Sequence, residues 1–279
     1  MIADLITVDK DLCIGCGLCA SVCPYATIKL EDGHPVAVKV ADINQSQCCG
    51  CGHCVSVCPK AALDNKFAPL SAQKPIDKSI KSFSEQDAAA FLIGRRSIRY
   101  FEDKPIPESL LLKLLDVAKY APTGCNLQGI KFLIIQDKVI LQQIKEAGAK
   151  FLELQAKIST PPGQYLNIQM AEAYRNGTDT ILHGAPCVVI LLHPKEPLPF
   201  GEATSSNTMT YLQLYATTLG LGMCWAGVIE APMQQGYKEM QDALQIPDGW
   251  VVRSAAMLGY AKYEHQRIPE RNKVDVIFR

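Results

Sequence analysis

The chain lacks the features that mark several classes of protein. Its 28 basic side chains balance 28 acidic ones, so no net charge attracts nucleic acid or an anionic membrane. No apolar run approaches the roughly 20 residues of a membrane helix. Residues 1–10 carry Asp4 and Asp9 and lack the basic start and apolar centre of a signal peptide. We therefore expect a cytoplasmic protein whose partners include neither nucleic acid nor a membrane.

Two families of short motif are also missing. The histidines form no HxH or HExxH pattern, so they predict no metal site of their own, and no GxGxxG dinucleotide fingerprint is present. Extensive disorder is excluded as well, because 48% of the residues are hydrophobic and 20% are charged. A length of 279 residues allows one large domain or two unequal ones.

Cysteine is plentiful by contrast, and it is concentrated at one end. Nine of the 12 cysteines fall within the first 58 residues. A CxxCxxCxxxCP run begins at Cys13 and recurs 35 residues later at Cys48, which indicates an internal duplication. In a reducing cytoplasm such clustering indicates metal binding rather than disulfides.

The spacing within each run predicts an iron–sulfur site. Thiolates are the soft ligands that clusters require, and each [4Fe–4S] cluster needs four. Three close cysteines surround one cluster, and the fourth, before proline, points to the other. Zinc is disfavoured because zinc ribbons normally use two well-separated CxxC pairs. The predicted ligand sets are Cys13, Cys16, Cys19 and Cys58 for one cluster, and Cys48, Cys51, Cys54 and Cys23 for the other.

These runs resemble bacterial two-cluster ferredoxins over residues 1–65. Four lysines against seven acidic residues in this segment agree with a small acidic electron carrier. Cys49 breaks the ligand spacing, and we predict that it is a bystander.

A linker and a larger domain are predicted beyond the cysteines. Residues 66–83 contain Pro69 and Pro75 and show no sustained periodicity, which favours a surface connection. Over residues 84–279, strands alternate with longer helices, which indicates a layered α/β domain. The predicted helices cover 84–93, 107–119, 138–157, 203–219 and 232–244. The predicted strands cover 131–136, 187–192, 223–228 and 251–260, and residues 158–180 form an excursion that is part helical.

A phosphate-binding segment is predicted directly after the first helix of this domain. Three guanidiniums and a hydroxyl lie close together there, and the arginine fork matches phosphate oxygens. These residues are Arg95, Arg96, Ser97 and Arg99. Followed by the segments at 121–128 and 219–227, they resemble the FMN-dependent nitroreductase family over about residues 85–279.

This second resemblance implies a homodimer with FMN at its interface. Arg95, Ser97 and Arg99 match residues that hold the FMN phosphate and pyrimidine edge. Further matches are a loop reaching the flavin from the neighbouring subunit (Pro122, Thr123 and Asn126), the backbone at the reactive flavin edge (Ala226 and Gly227), and a C-terminal basic residue at the phosphate (Arg271, with Arg267 or Lys273 as substitutes). Residues 128–130 read Gln-Gly-Ile where family members often have Gln-Pro-Trp, which weakens analogies for the substrate pocket.

Together the two resemblances predict an iron–sulfur flavoprotein oxidoreductase. Two [4Fe–4S] clusters carry single electrons and FMN carries one or two, so the chain is expected to reduce a small electrophile such as a nitroaromatic, quinone or enone. An external ferredoxin is the expected donor. The alternatives are direct reduction of FMN by NAD(P)H with auxiliary clusters, and a redox carrier or sensor without turnover. Oxygen-labile clusters suggest an anaerobic organism.

Overall fold

The computed structural model describes residues 5–38, 48–77, 84–196 and 201–279. The fold divides into two units: unit 1 contains residues 1–82 and 125–127, and unit 2 contains residues 83–124 and 128–279. Of the predicted linker, residues 66–77 group with unit 1 and include a 3-10 turn at Leu70–Ala72, whereas residues 78–83 lie outside the described residues. Among the described helices, none is both long and apolar enough to cross a membrane.

Unit 1 repeats one local structure in its two halves. The short helices α1 (Leu18–Ser21) and α2 (His53–Ser56) each follow a glycine in the left-handed region, Gly17 with φ 74° and Gly52 with φ 73°. Glycine adopts this conformation without steric cost, so each cysteine loop can turn sharply into its helix. Antiparallel pairs complete the unit: β1 (Ile6–Val8) with β4 (Leu63–Asn65), and β2 (Ile28–Glu31) with β3 (His34–Ala37).

Unit 2 is built on an antiparallel sheet in the order β5-β6-β8-β7. These strands are β5 (Lys131–Ile135), β6 (Cys187–Pro194), β7 (Gly222–Trp225) and β8 (Trp250–Gly259). The helices are α3 (Glu85–Gly94), α4 (Glu108–Ala118), α5 (Lys138–Ile158), α6 (Gly163–Arg175), α7 (Gly201–Thr218), α8 (Gly227–Gln234) and α9 (Lys238–Leu244).

Both faces of this sheet are buried. Along β6, Val188 and Ile190 join one hydrophobic core with side chains of α5, α8 and α9, whereas Val189 and Leu191 join another with side chains of α4 and α7. Side chains alternate across a strand, so a strand covered on both faces is an unbroken apolar run. The predicted layered α/β architecture is confirmed.

Most predicted elements form within a few residues of their expected bounds. Ser84 caps α3 by accepting a hydrogen bond from the amide of Asp87. The excursion at 158–180 contains α6.

Two of the predicted bounds were wrong. Residues 226–228 do not continue a strand, because the Ala226 carbonyl already accepts hydrogen bonds from the amides of Ile229 and Glu230 and begins helical bonding. The predicted helix 232–244 is also two helices. The chain turns between α8 and α9 at Gly236, whose φ is 68°.

Gly222 allows the segment around Ser97 to lie against β7. The Ile98 amide donates to the Met223 carbonyl at 3.1 Å, and a β-carbon at position 222 would lie 2.6 Å from Ile98 Cγ1. We expect Gly222→Ala to destabilise the protein by about 1–3 kcal/mol, because Ile98 must shift within a packed region. Chemical denaturation measures this. Gly163→Ala, where a β-carbon meets open space, is the matched control and should unfold like the parent. Equal stability of both variants would contradict the packing argument.

Candidate functional site

Four cysteines from both halves of unit 1 line one cavity of about 390 Å³, a volume that includes its open mouth. Cys13, Cys16 and Cys19 come from the first run, and Cys58 comes from the end of the second. We call this group the first cysteine site. Its membership is the same as that of the first predicted ligand set.

The second cysteine site is the corresponding group at the other end of the duplication. Cys48, Cys51 and Cys54 from the second run and Cys23 from the first line a cavity of about 330 Å³, again including its mouth. Cys49 lines the same cavity, and burial followed by its neighbour Cys51 raises its pKa. Its predicted role as a bystander stays a prediction.

The donor sets fit iron–sulfur clusters. Each site offers four or more thiols around a cavity, and four thiolates are what a [4Fe–4S] cluster requires. In residues 5–38, 48–77, 84–196 and 201–279, no group of three or more His, Cys, Asp or Glu side chains is arranged to hold a single metal ion. The number and softness of the thiol donors agree with the predicted clusters.

Hydrogen bonds reach several of these sulfur atoms. Cys23 Sγ lies 3.2 Å from the Thr27 hydroxyl and accepts the Thr27 amide at 3.3 Å. Burial acts to raise the pKa of Cys23, but these bonds hold it below its ordinary value. Asn65 Nδ2 donates to Cys48 and Cys54 at 3.8 and 3.7 Å. Burial nevertheless raises the pKa of Cys54 to about 11. All these donors stabilise negative charge on sulfur.

Residues 125–127 group with unit 1 and contact the second cysteine site. Asn126 Nδ2 donates to the carbonyls of Cys49 and Gly50 at 3.2 and 3.1 Å, directly before Cys51. The Tyr25 hydroxyl donates to Cys125 Sγ at 3.2 Å. Cys125 and Asn126 both have left-handed backbones, with φ 50° and 54°. The motif pattern gave no sign that Asn126, predicted to reach a flavin, bonds to this cysteine loop.

Pro122 and Thr123, from the same predicted loop, lie in unit 2. The Pro122 carbonyl accepts a hydrogen bond from Asn207 Nδ2, and the Thr123 hydroxyl accepts one from the Gln128 amide, both at 3.1 Å. These bonds hold the loop to α7 and close it on itself.

Three predicted residues of unit 2, Arg95, Ser97 and Arg99, lie near Cys224, and we call these four residues the Cys224 group. Burial raises the pKa of this thiol, and nearby Arg99, Ser97 and Arg95 act in the opposite direction. The bridge between Ser97 and Met223 brings this segment to β7, although more than 120 residues separate them. Arg96 differs, because its guanidinium donates to the carbonyls of Ile93 and Arg95. The arrangement can therefore present two guanidiniums and a hydroxyl to an anionic ligand.

The turn from β7 into α8 is fixed to the central sheet. The buried Ala226 donates its amide to the Ala255 carbonyl at 2.8 Å, and Glu230 Oε1 accepts the Ala255 amide at 2.7 Å. Burial raises the pKa of Glu230. Sequence reasoning missed Glu230; its one signal is an isolated carboxylate in the apolar stretch 226–233. Ala226 and Gly227, predicted to face a flavin edge, are held by this pair of bonds.

Arg271 lies in an exposed C-terminal segment without regular secondary structure. Residues 262–279 form neither helix nor strand, and Arg271, Arg267 and Lys273 are all exposed there. Their role at a phosphate stays a prediction.

Comparisons with known proteins find matches for two separate segments of the chain. Residues 92–260 match the nitroreductase family, and residues 12–62 match the 4Fe-4S dicluster domain. A protein of Archaeoglobus fulgidus, provisionally named an NADH dehydrogenase/NAD(P)H nitroreductase, is 26% identical over 182 residues, which are 64% of this chain and 88% of that protein. Taken with the cysteine cavities, the matches define an oxidoreductase with an iron–sulfur domain. The chain belongs to the nitroreductase family.

Solved structures share the fold of the larger unit. A nitroreductase with bound FMN from Desulfitobacterium hafniense has a TM-score of 0.56 and 20% identity, covering 71% of this chain and 100% of that chain. An FMN and NADPH-dependent nitroreductase from Sphigopyxis sp. strain HMH has a TM-score of 0.52 and 19% identity, covering 68% and 99%. The predicted combination of a nitroreductase-like fold with an N-terminal ferredoxin-type domain is confirmed.

The arginines of the Cys224 group allow a test of anion binding. We expect Arg99→Ala to weaken FMN binding about tenfold or more, because a charge-assisted hydrogen bond contributes about 1.5–3 kcal/mol. Arg96→Ala should have a smaller effect, since that guanidinium is occupied by backbone carbonyls. Flavin fluorescence during titration of the FMN-free protein measures both affinities. A larger loss in Arg96→Ala than in Arg99→Ala would contradict the arrangement.

Proposed function

We propose that the chain uses two [4Fe–4S] clusters and FMN to transfer electrons to a small electrophilic substrate, such as a nitroaromatic, quinone or enone. Bound clusters would supply one-electron transfer, and bound FMN would couple single electrons to two-electron reduction. The protein would bind these groups, position them and exclude water. The proposed domains are residues 1–65 for the clusters and 84–279 for FMN, joined by residues 66–83.

The observation that carries this proposal is the crossed membership of the two cysteine sites. Each cavity takes the first three motif cysteines of one run and the last motif cysteine of the other, as two-cluster binding requires, and the second cavity is also lined by Cys49. Cys13, Cys16, Cys19 and Cys58 would hold one cluster, and Cys48, Cys51, Cys54 and Cys23 the other.

The Cys224 group supports FMN as the second cofactor. Arg95, Ser97 and Arg99 would bind the phosphate and the pyrimidine edge, and the Ala226–Gly227 backbone would lie against the reactive edge of the ring. One structure of similar fold is described with FMN bound, and another is described as FMN and NADPH-dependent. Arg96, Pro122, Thr123, Asn126 and Arg271 complete the proposed set, of which Asn126 also bonds to the second cysteine site.

Apolar surface in unit 2 supports a homodimer. Val274, Ile277 and Phe278 near the C-terminus are 87, 80 and 91% exposed, and α3 has no buried residue although Leu92 and Ile93 are apolar. Apolar side chains mark an interaction site when they form one continuous patch, which the proposed dimer requires of these residues. A second copy of the chain would cover it, as the family resemblance implies.

Paired cysteine substitutions test the crossed ligand sets. We expect Cys13→Ala with Cys58→Ala to remove about half of the bound iron, because both residues belong to the first cysteine site. Cys13→Ala with Cys23→Ala should remove most of it, because that pair takes one ligand from each site. Iron analysis of anaerobically purified protein measures both. Cys49→Ala is the control and should retain the parent's iron; the opposite order of the two double variants would disprove the crossing.

The electron donor can be identified by anaerobic stopped-flow. We expect reduced ferredoxin to bleach the FMN absorbance of the full protein, and the Cys13→Ala, Cys58→Ala variant to slow this reaction strongly because an electron-accepting site is lost. If ferredoxin leaves the FMN oxidised, the inward route is wrong.

NAD(P)H is the second candidate donor, because similar proteins carry it in their names. Rapid FMN reduction by NAD(P)H that is unaffected by the cysteine substitutions would support this donor, with the clusters as auxiliary centres. A redox carrier or sensor would instead show no turnover of nitro or quinone acceptors with either donor.

A further inference from the structure

The two halves of the duplication differ in the hydrogen bonds that reach sulfur. Thr27 and Ala62 occupy equivalent positions, and each donates its amide to the cysteine before proline, Cys23 or Cys58, at 3.3 Å. Thr27 also places its hydroxyl 3.2 Å from Cys23 Sγ. A coordinated thiolate carries no proton, so this hydroxyl must be the donor. Ala62 has no side-chain donor to offer.

A second difference separates Asn65 from its equivalent, Leu30. Asn65 is only 3% exposed, and its Oδ1 accepts the Phe67 amide at 2.9 Å, which directs Nδ2 toward Cys48 and Cys54. Leu30 is 44% exposed and has no polar group. Across the described residues of unit 1, no side-chain hydrogen bond to the four thiols of the first cysteine site is present, so the extra donors belong to the second site.

These donors have a definite effect on electron affinity. Reduction adds one negative charge to a bound cluster, and donors to its sulfur ligands stabilise that charge and raise the reduction potential. We propose that Thr27 and Asn65 give the second cysteine site a higher reduction potential than the first, so that an electron received by unit 1 resides mainly at the second site. This inference rests on the proposed function, which places a cluster in each site.

Two features of the first cysteine site act in the opposite direction. Lys60 lines its cavity, and Cys16 is exposed to solvent, which stabilises added charge. Lys60 is itself exposed, so water and salt screen its charge, whereas the donors of Thr27 and Asn65 touch sulfur directly. His53 lines the second cavity and is exposed in the same way. The contact donors are therefore the larger difference between the sites.

The difference sets a direction of transfer within unit 1. An electron that reaches either site would reside mainly at the second. Residues 125–127 are hydrogen-bonded to the loop of the second site, so the retained electron lies beside Asn126. Thr27 and Asn65 would thus determine at which site the electron resides, and Asn126 is hydrogen-bonded to the loop of that site.

Exchanging the donors between the two halves tests this inference. Thr27→Val keeps the side-chain shape and removes the hydroxyl, whereas Ala62→Thr introduces a hydroxyl at the equivalent position. Anaerobic redox titration of the full protein, followed by electron paramagnetic resonance, should show two potentials in the parent. A tenfold preference of the electron for one site corresponds to 59 mV. We expect Thr27→Val to lower only the higher potential and Ala62→Thr to raise only the lower one.

The other outcomes are equally informative. Coincident potentials, or a Thr27→Val shift confined to the lower potential, would overturn the inference and leave the proposed function intact if iron and FMN contents are complete. Iron for one cluster only would instead overturn the proposed function, and this inference with it. Asn65→Ala is a second variant and should also lower only the higher potential, provided that it retains full iron; an unchanged potential would count against the role of Asn65.

Discussion

The sharing of cysteines between the two repeats is the constraint on which unit 1 depends. Cys23, the last cysteine of the first run, lines the second cavity, and Cys58, the last cysteine of the second run, lines the first cavity. Neither half can therefore complete a site alone. The left-handed glycines before α1 and α2 turn each cysteine loop into its helix, and the β1–β4 pair joins the start of the first half to the end of the second. Clusters bound in the proposed sites would add to the stability of a unit with so small a hydrophobic core, because binding free energy is then also folding free energy.

In unit 2 the inner strand β8 has a comparable role. Ala255 accepts the Ala226 amide and donates to Glu230, so one residue of the sheet holds both the turn and the first part of α8. Cys224 lies on the neighbouring strand β7, and Gly222 lets Ile98 and the segment around it pack there. The geometry of the proposed flavin site therefore follows from backbone contacts in the sheet more than from its polar side chains.

Patterns with strict spacing were predictable from the sequence, and contacts across the fold were not. Cysteine spacing grouped eight thiols in two sets that each line one cavity, although Cys49 lines the second cavity as well, and the apolar run at 187–192 predicted the inner strand β6. The start of α8 was missed because Met223–Val228 is apolar enough for a strand, and the bond from the Ala226 amide to the Ala255 carbonyl that fixes the turn is tertiary. The contacts of Asn126 with Cys49 and Gly50 join residues 77 and 76 positions apart, and no local pattern encodes such a distance.

The duplication also illustrates how two copies of one motif can become unequal in their affinity for an electron. Two copies of one motif begin with equal surroundings and therefore no preferred order of use. Positions 27 and 65 differ from their equivalents, 62 and 30, without touching the cysteine spacing that the fold needs. Divergence at such positions leaves the architecture unchanged and makes the two halves unequal. Substitution of residues next to the cysteines can therefore give the two proposed sites different reduction potentials while the cysteines themselves are unchanged.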